Sequence, residues 1–210
     1  MIEALLLWAV MAQAGPAALR TDFPGVETSV STSGERLTHA SGFRAPGLGE
    51  TPEAAARAFL ARYAAAFGIG PKQVLVLQAA PASGQPGAVR LERRIDGLPI
   101  FDGDIVVGVD TQGAVFLVNT GDIPGDGAGR FRISRKVAID RARAAIQGLE
   151  TTDTPRAERG WRSDGKVVRP VWRVDFAAAR PPGDWRTFVD AETGKVLQRM
   201  NLRMFGTTGR

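Results

Sequence analysis

The sequence predicts an α+β fold made of two small modules, each a helix packed on an antiparallel sheet. Three observations carry this. Two amphipathic stretches open with helix N-terminal signals, short runs of alternating apolar and charged residues follow each, and a Gly/Pro-rich break separates the halves. The 210 residues, 44% of them hydrophobic, suffice for two small cores. The 25 Gly and 13 Pro fall between patterned blocks, so they mark turns between strands rather than low-complexity chain.

Residues 1–14 read as an export signal. An apolar run containing Leu5, Leu6, Leu7, Trp8, Val10 and Met11 precedes Ala12-Gln13-Ala14, a small-residue cleavage site. A run of about nine residues is too short for a bilayer, which takes roughly 20, so no stable membrane insertion is expected after cleavage. The start, Met1-Ile2-Glu3, lacks the usual Lys or Arg. Residues 15–50 form an N-terminal extended segment with scattered apolar positions, Phe23, Val26, Val30, Leu37 and Phe43, and room for one or two extended pieces.

The first module spans 51–121. Thr51 offers an N-cap oxygen, Pro52 fits the first helical position and Glu53 suits the first turn. Ala55, Phe59, Leu60, Tyr63 and Phe67 then make an apolar stripe, and Gly68 supplies the left-handed stop. Strands are expected at 74–78, 89–95, 105–109 and 114–119. In the second of these Val89, Leu91 and Ile95 alternate with Arg90, Glu92 and Arg94, the period of a sheet with one wet face. Asp96-Gly97 and Gln112-Gly113 provide the turns.

Residues 122–132 concentrate Gly, Pro and charge and are expected to be a linker. The second module, 133–200, starts with Ser134 as N-cap of a helix to Gln147, ended by Gly148. Val168, Pro170, Trp172, Val174 and Phe176 share one strand face, with Arg169, Arg173 and Asp175 on the other, and Pro170 predicts an edge or bulged strand. Residues 185–189 and 195–200 form a hairpin closed by 190–194. The tail, 201–210, follows.

The formal charge of +5 raises the question of nucleic acid. Its arginines alternate with apolar residues along strands instead of clustering, which describes a solvated sheet face and excludes nucleic acid in favour of an acidic protein partner. Without Cys there is neither disulfide nor thiolate metal site, and His39 stands alone in a polar segment with no H-E-x-x-H. No catalytic residue, metal ligand or cofactor is therefore expected. Asp96, Asp102 and Asp104 are turn residues with no opposing carboxylate for glycoside chemistry, and Asp102, Asp104 and Asp110 lack EF-hand spacing.

The segment 89–115, VRLERRIDGLPIFDGDIVVGVDTQGAV, resembles the fungalysin/thermolysin propeptide domain, through the turn Gly97-Leu98-Pro99-Ile100-Phe101 and the closing Asp110 to Gly113. Residues 133–200 are similar to a PepSY module, through the Ala-rich helix, the strand Val171-Trp172-Arg173-Val174 and the hairpin 185–196. The resemblance implies the pro-region of a secreted zinc metalloprotease, extracellular or periplasmic: an intramolecular chaperone and inhibitor with no catalysis of its own. Its partner would be the catalytic domain, in cis if this chain is truncated or in trans if it is a free-standing inhibitor. A reading frame continuing into H-E-x-x-H would distinguish the two. Candidate partner contacts are Gly97, Pro99 and Phe101 in the turn and Arg203, Met204 and Phe205 in the tail, where the apolar pair could fill a protease subsite.

Overall fold

The computed structural model describes residues 15–203, which form three helices and twelve strands, an α+β fold. The expected signal peptide lies outside the described residues. Contacts divide the chain into unit 1, Met1–Gly127 with Arg162–Val168, and unit 2, Ala128–Trp161 with Arg169–Arg210. The division falls inside the span expected to be a linker, and the beginning of that span is bound to unit 1. Ile123 is buried, Gln73 Nε2 donates to the Gly125 carbonyl at 2.5 Å, and the Lys72 N–H donates to the Asp126 carboxylate at 3.1 Å.

Unit 1 holds α1 (Pro16–Asp22), α2 (Pro52–Arg62) and seven strands: β1 (Glu27–Val30), β2 (Leu37–Ser41), β3 (Gln73–Ala79), β4 (Gly87–Ile95), β5 (Leu98–Phe101), β6 (Ile105–Val109) and β7 (Val115–Thr120). The order β1-β2-β7-β6-β4 is antiparallel throughout. β4 carries β3 along its other side and turns back into β5. Helix α2 begins as its residues dictate: the Ala54 N–H donates to Thr51 Oγ1 at 3.1 Å, and Arg57 pairs with Glu53 one turn back at 2.7 Å. Regular helix stops at Arg62, earlier than the stripe predicts. The chain then runs through looser turns until the Ile69 N–H reaches the Ala64 carbonyl at 2.9 Å, with Gly68 at φ +62. That six-to-one bond is the Schellman closure Gly68 was expected to allow, and a Cβ there would run into the Ile123 carbonyl.

The aromatic stripe packs as expected. Phe59 lies 5.3 Å from Phe43 and 4.8 Å from Tyr63, ring centre to ring centre, and Phe59, Tyr63 and Phe67 are all buried against Val89, Leu91 and Val107. Parity along β4 also turns Arg93 inward, which its residue type alone did not suggest. Arg93 is fully buried. Its Nε donates to Gln73 Oε1 at 2.7 Å, Nη1 to Thr120 Oγ1 at 3.2 Å and Nη2 to the Gly68 carbonyl. Burial, and secondarily the charge of Arg36, pushes this guanidinium down to about 9, so it stays protonated at neutral pH.

Unit 2 holds α3 (Arg135–Ala144), β8 (Glu150–Thr151), β9 (Arg156–Ser163) except its last two residues, β10 (Val168–Arg180) except its first, β11 (Gly183–Asp190) and β12 (Val196–Asn201). The strand order is β9-β10-β11-β12, with β8 also on β10. Ser134 caps α3 through the Val137 N–H at 3.3 Å. Ala138, Ala142 and Ile146 bury against Trp172, Val174 and Phe176, the strand face the alternation assigns to the core. Of the two alternatives expected for this strand, edge or bulged, β10 is not an edge, and its register shifts between Ala178 and Arg180, away from Pro170. Pro170 is tolerated because pairing with β11 begins at Val171, beyond the missing N–H, while the Pro170 carbonyl accepts from Ala191 N–H at 3.0 Å. The short helix α1 and strands β5, β8 and β9 carry no strong periodicity and were not anticipated.

At the end of α1, Asp22 accepts from the Tyr63 hydroxyl at 2.5 Å and from Arg62 at 2.7 Å. The tyrosine bond is the main reason the carboxyl sits below its ordinary value, while burial and then the same bond push the phenol up to about 12. A lowered carboxyl stabilises the fold above its unfolded pKa near 4 and loses that as pH falls. A raised phenol stabilises fully below about pH 10 and loses that as pH climbs. Urea midpoints should therefore drop at both extremes, less steeply at acid pH in Asp22→Asn and less steeply at alkaline pH in Tyr63→Phe. Arg93→Met strands the Gly68 carbonyl and Gln73 Oε1 without their donor and should lower the unfolding free energy by about 3 kcal/mol in the same assay.

Candidate functional site

The β4–β5 connection is a two-residue turn. Ile95 pairs with Leu98, and between them Asp96 and Gly97 both take positive φ, 51° and 75°. Asp-Gly is the pair that tolerates this type I′ geometry, whose twist matches the flanking strands. Gly97 is exposed and Pro99 half-buried opposite Arg94, so both stand at the surface. Phe101 is 6% exposed, its side chain turned into the fold. Asp102 follows at φ 61°, and Gly121 is needed beside it because a Cβ would strike the Asp102 carbonyl. Asp104 pairs with Arg90 at 3.4 Å. Asp110 accepts from the Gln112 and Ala114 N–H groups and from Arg44 Nε at 2.8 to 2.9 Å, and the Ala114 bond is the first cause of its lowered pKa. The Asp110 carboxylate thus organises the turn between β6 and β7.

The second candidate surface is the end of β12. Asn201 Oδ1 accepts from the Asp184 N–H at 3.2 Å and the Arg203 N–H at 3.0 Å, and Nδ2 donates to the Pro182 carbonyl at 3.1 Å. The Leu202 N–H reaches the Asp184 carbonyl at 2.7 Å, and Arg203 Nε pairs with the Asp184 carboxylate at 3.2 Å. Gly183 leaves room here, since a Cβ would displace the Asn201 side chain from its present position. The chain is therefore fixed in direction as far as Arg203, with Leu202 46% exposed. Met204 and Phe205 lie outside the described residues.

Wet-face arginines of the strands are matched where they stand. Arg186 makes a two-pronged contact with Asp175 at 2.8 and 3.0 Å, and Arg173 reaches Asp175 at 3.4 Å and Glu158 at 2.6 Å. Arg94 pairs with Glu92 at 2.5 Å. Among the cations left for an acidic partner are Arg135, Arg141 and Arg143 on α3, which are exposed and have no carboxylate partner among the described residues. The sequence signal for them was the helix itself, with five charges in ten residues, four of them positive. His39, expected in a loop, lies in β2 and bridges Asn119 Oδ1 at 2.6 Å and Ser41 Oγ at 2.9 Å.

Two family descriptions match these regions. The Fungalysin/Thermolysin Propeptide Motif matches residues 87–120, which span β4 to β7, and the Peptidase propeptide and YPEB domain matches residues 132–199, from before α3 into β12. Bacillolysin of Bacillus amyloliquefaciens is 28% identical over 130 residues, 55% of this chain and 25% of that protein. Bacillolysin of Bacillus subtilis strain 168 is 27% identical over 120 residues, 51% of this chain and 23% of its own. The chain thus matches about a quarter of the length of these curated relatives. The solved Bacillus megaterium YpeB C-terminal domain aligns over 93% of this chain and 97% of its own at 13% identity, with a TM-score of 0.35.

Asn201 ties the end of β12 to Pro182, Asp184 and Arg203. Asn201→Ala removes three hydrogen bonds at a partly exposed position and should lower stability by about 1 to 2 kcal/mol. Brief trypsin treatment followed by mass spectrometry should then show faster cutting at Arg203 than in the unaltered chain.

Proposed function

From a chain that carries a fungalysin/thermolysin propeptide motif followed by a PepSY domain, we propose the pro-region of a secreted thermolysin-like or fungalysin-like zinc metalloprotease, itself without catalysis. The tandem order of the two matches is the observation that supports this reading, because each alone is shorter than half the chain. The two units act as modules, each presenting a helix and an antiparallel sheet as a rigid surface. Such a surface can bind the folding transition state of the catalytic domain and lower its barrier, and its later removal leaves the enzyme held by a high unfolding barrier. The extracellular or envelope location follows from the same kinship, and among the described residues no helix is long and apolar enough to cross a membrane.

Inhibition falls to the tail. Asn201 and Asp184 anchor the chain as far as Arg203, and Met204 with Phe205, next in sequence, would supply apolar side chains for a cleft subsite. Gly97 and Pro99 at the β4–β5 turn, and Arg135, Arg141 and Arg143 on α3, serve as further contacts. The second matched description covers YpeB-type domains as well as propeptides. It favours a second reading, a free-standing secreted or envelope inhibitor or peptide-binding module acting in trans.

The test is refolding in trans. A bacillolysin-type catalytic domain is unfolded in guanidinium and diluted with or without an equimolar amount of residues 15–210. Recovered activity after removal of the added chain should rise about tenfold, equivalent to about 1.4 kcal/mol off the barrier, and the native enzyme should be inhibited in a dose-dependent way. Absence of both effects would sink the pro-region reading. Inhibition without any gain in refolding selects the free-standing inhibitor.

A further inference from the structure

Strand β3 reads Gln-Val-Leu-Val-Leu-Gln-Ala and contains neither a charge nor a proline. It pairs with β4 alone, so its outer edge is open among the described residues. Natural edges are blunted by Lys, Pro or a covering element; nothing within this strand does so, and Val74 is 60% and Leu77 37% exposed. Beside the edge lies a cavity of about 470 Å³, walled by Leu60, Ala61, Ala64, Ile69, Val74 and Leu75. That volume falls within the range of small-ligand sites. A helix and an open strand that wall an apolar hollow suit an extended peptide, which gains backbone bonds along the edge and side-chain burial in the hollow.

Arg57 stands at the rim with two of its nitrogens committed. Nε pairs with Glu53 at 2.7 Å, and Nη1 donates to the Leu75 carbonyl on β3 at 2.9 Å. A backbone acceptor of the edge is thus held by a side chain, and an incoming N–H can take its place without leaving that acceptor bare. The ammonium of Lys72, exposed just before the strand, has no carboxylate partner among the described residues. Freed Arg57 donors and Lys72 together favour an acidic group next to the inserted apolar residue.

We propose that the groove between α2 and β3 binds an extended segment of a partner polypeptide, adding it as a strand on β3 with a bulky apolar side chain in the hollow and a carboxylate against Arg57 and Lys72. This site stands whether or not the partner is a protease. The probe is a fluorescein-labelled heptapeptide amide, Thr-Val-Asp-Phe-Thr-Val-Thr, titrated into the full chain by anisotropy. Saturable binding is expected, with amide shifts in the NMR spectrum of the native chain centred on β3 and α2. Ala61→Trp, which fills the hollow from an exposed position, and Val74→Lys, which charges the edge, should each weaken binding about tenfold or more at unchanged thermal midpoint. A probe with Lys in place of Asp should weaken similarly. No saturation at millimolar probe, or binding indifferent to both variants, overturns the proposal. So does sedimentation showing a dimer that Val74→Lys dissolves, which would make the edge an interface between two copies of this chain.

Discussion

The arrangement of the first unit depends on where one buried guanidinium finds its acceptors. Arg93 is enclosed without a carboxylate, and a charge in that setting is tolerated only when its donors meet oxygens of good geometry. Those oxygens come from Gly68 at the close of the turn after α2, from Gln73 at the start of β3 and from Thr120 at the end of β7. They converge only if β4 keeps its register against both neighbours. Slipping β4 by one residue would put Glu92 or Arg94 in the same place and expose Val89 and Leu91, since side chains alternate with a period of two. The ion therefore specifies register more than it adds stability, and it also satisfies a carbonyl at the end of α2, where a cation is favoured by the local dipole.

That constraint explains where sequence reasoning succeeded and where it stopped. Thr51-Pro52-Glu53 and Ser134 started helices because their hydroxyls cap free N–H groups, a local effect that needs no tertiary context. β4 and β10 followed from alternation, β6 and β7 from strand-like runs with Gln112-Gly113 between them, and β11 from the hairpin pattern. Arg93 did not, although parity placed it inward beside Leu91, because a charged residue type was weighed as surface and its acceptors lie 20 to 27 residues away. Pro170 misled in the opposite direction, its missing N–H being harmless one position before the β11 register starts. β5 and β8 are too short to show a period, and β9 places Glu158 and Arg159 side by side on a strand that its neighbours, not its composition, hold in place.

Of the candidate site, the turn chemistry was legible and the surface was not. Asp96-Gly97 announces positive φ from residue type alone. Whether Phe101 faces solvent depends on packing, and it does not. The strand arginines looked available for a partner, yet Asp175 and Glu158 neutralise Arg173 and Arg186 locally. Paired ions at a surface contribute little to stability, about 0 to 1 kcal/mol each, and little net field. Unpaired cations on α3 extend their potential further, to about a Debye length of 8 to 10 Å. The balance of paired and unpaired charge, which only the fold reveals, gives α3 an electrostatic face that the paired strand arginines lack.

An open, uncharged edge such as β3 also bears on what kind of binder this chain can be. Left bare, Gln73–Ala79 would invite pairing with any extended chain, including another copy. Arg57 reduces that tendency by occupying the Leu75 carbonyl, but a single side chain at a half-exposed position gives only modest protection. Weak, exchangeable cover suits a surface that must take a partner and later let it go, because the bond lost on binding is replaced and the bond lost on release re-forms within the molecule. A permanent interface would have no use for such a side chain, and a permanently blunted edge would have no use for the hollow behind it. The pairing of an apolar cavity with a displaceable guanidinium is therefore a feature of unit 1 that neither stability nor register requires, whereas Arg93, buried one strand away, is the ion that sets the register.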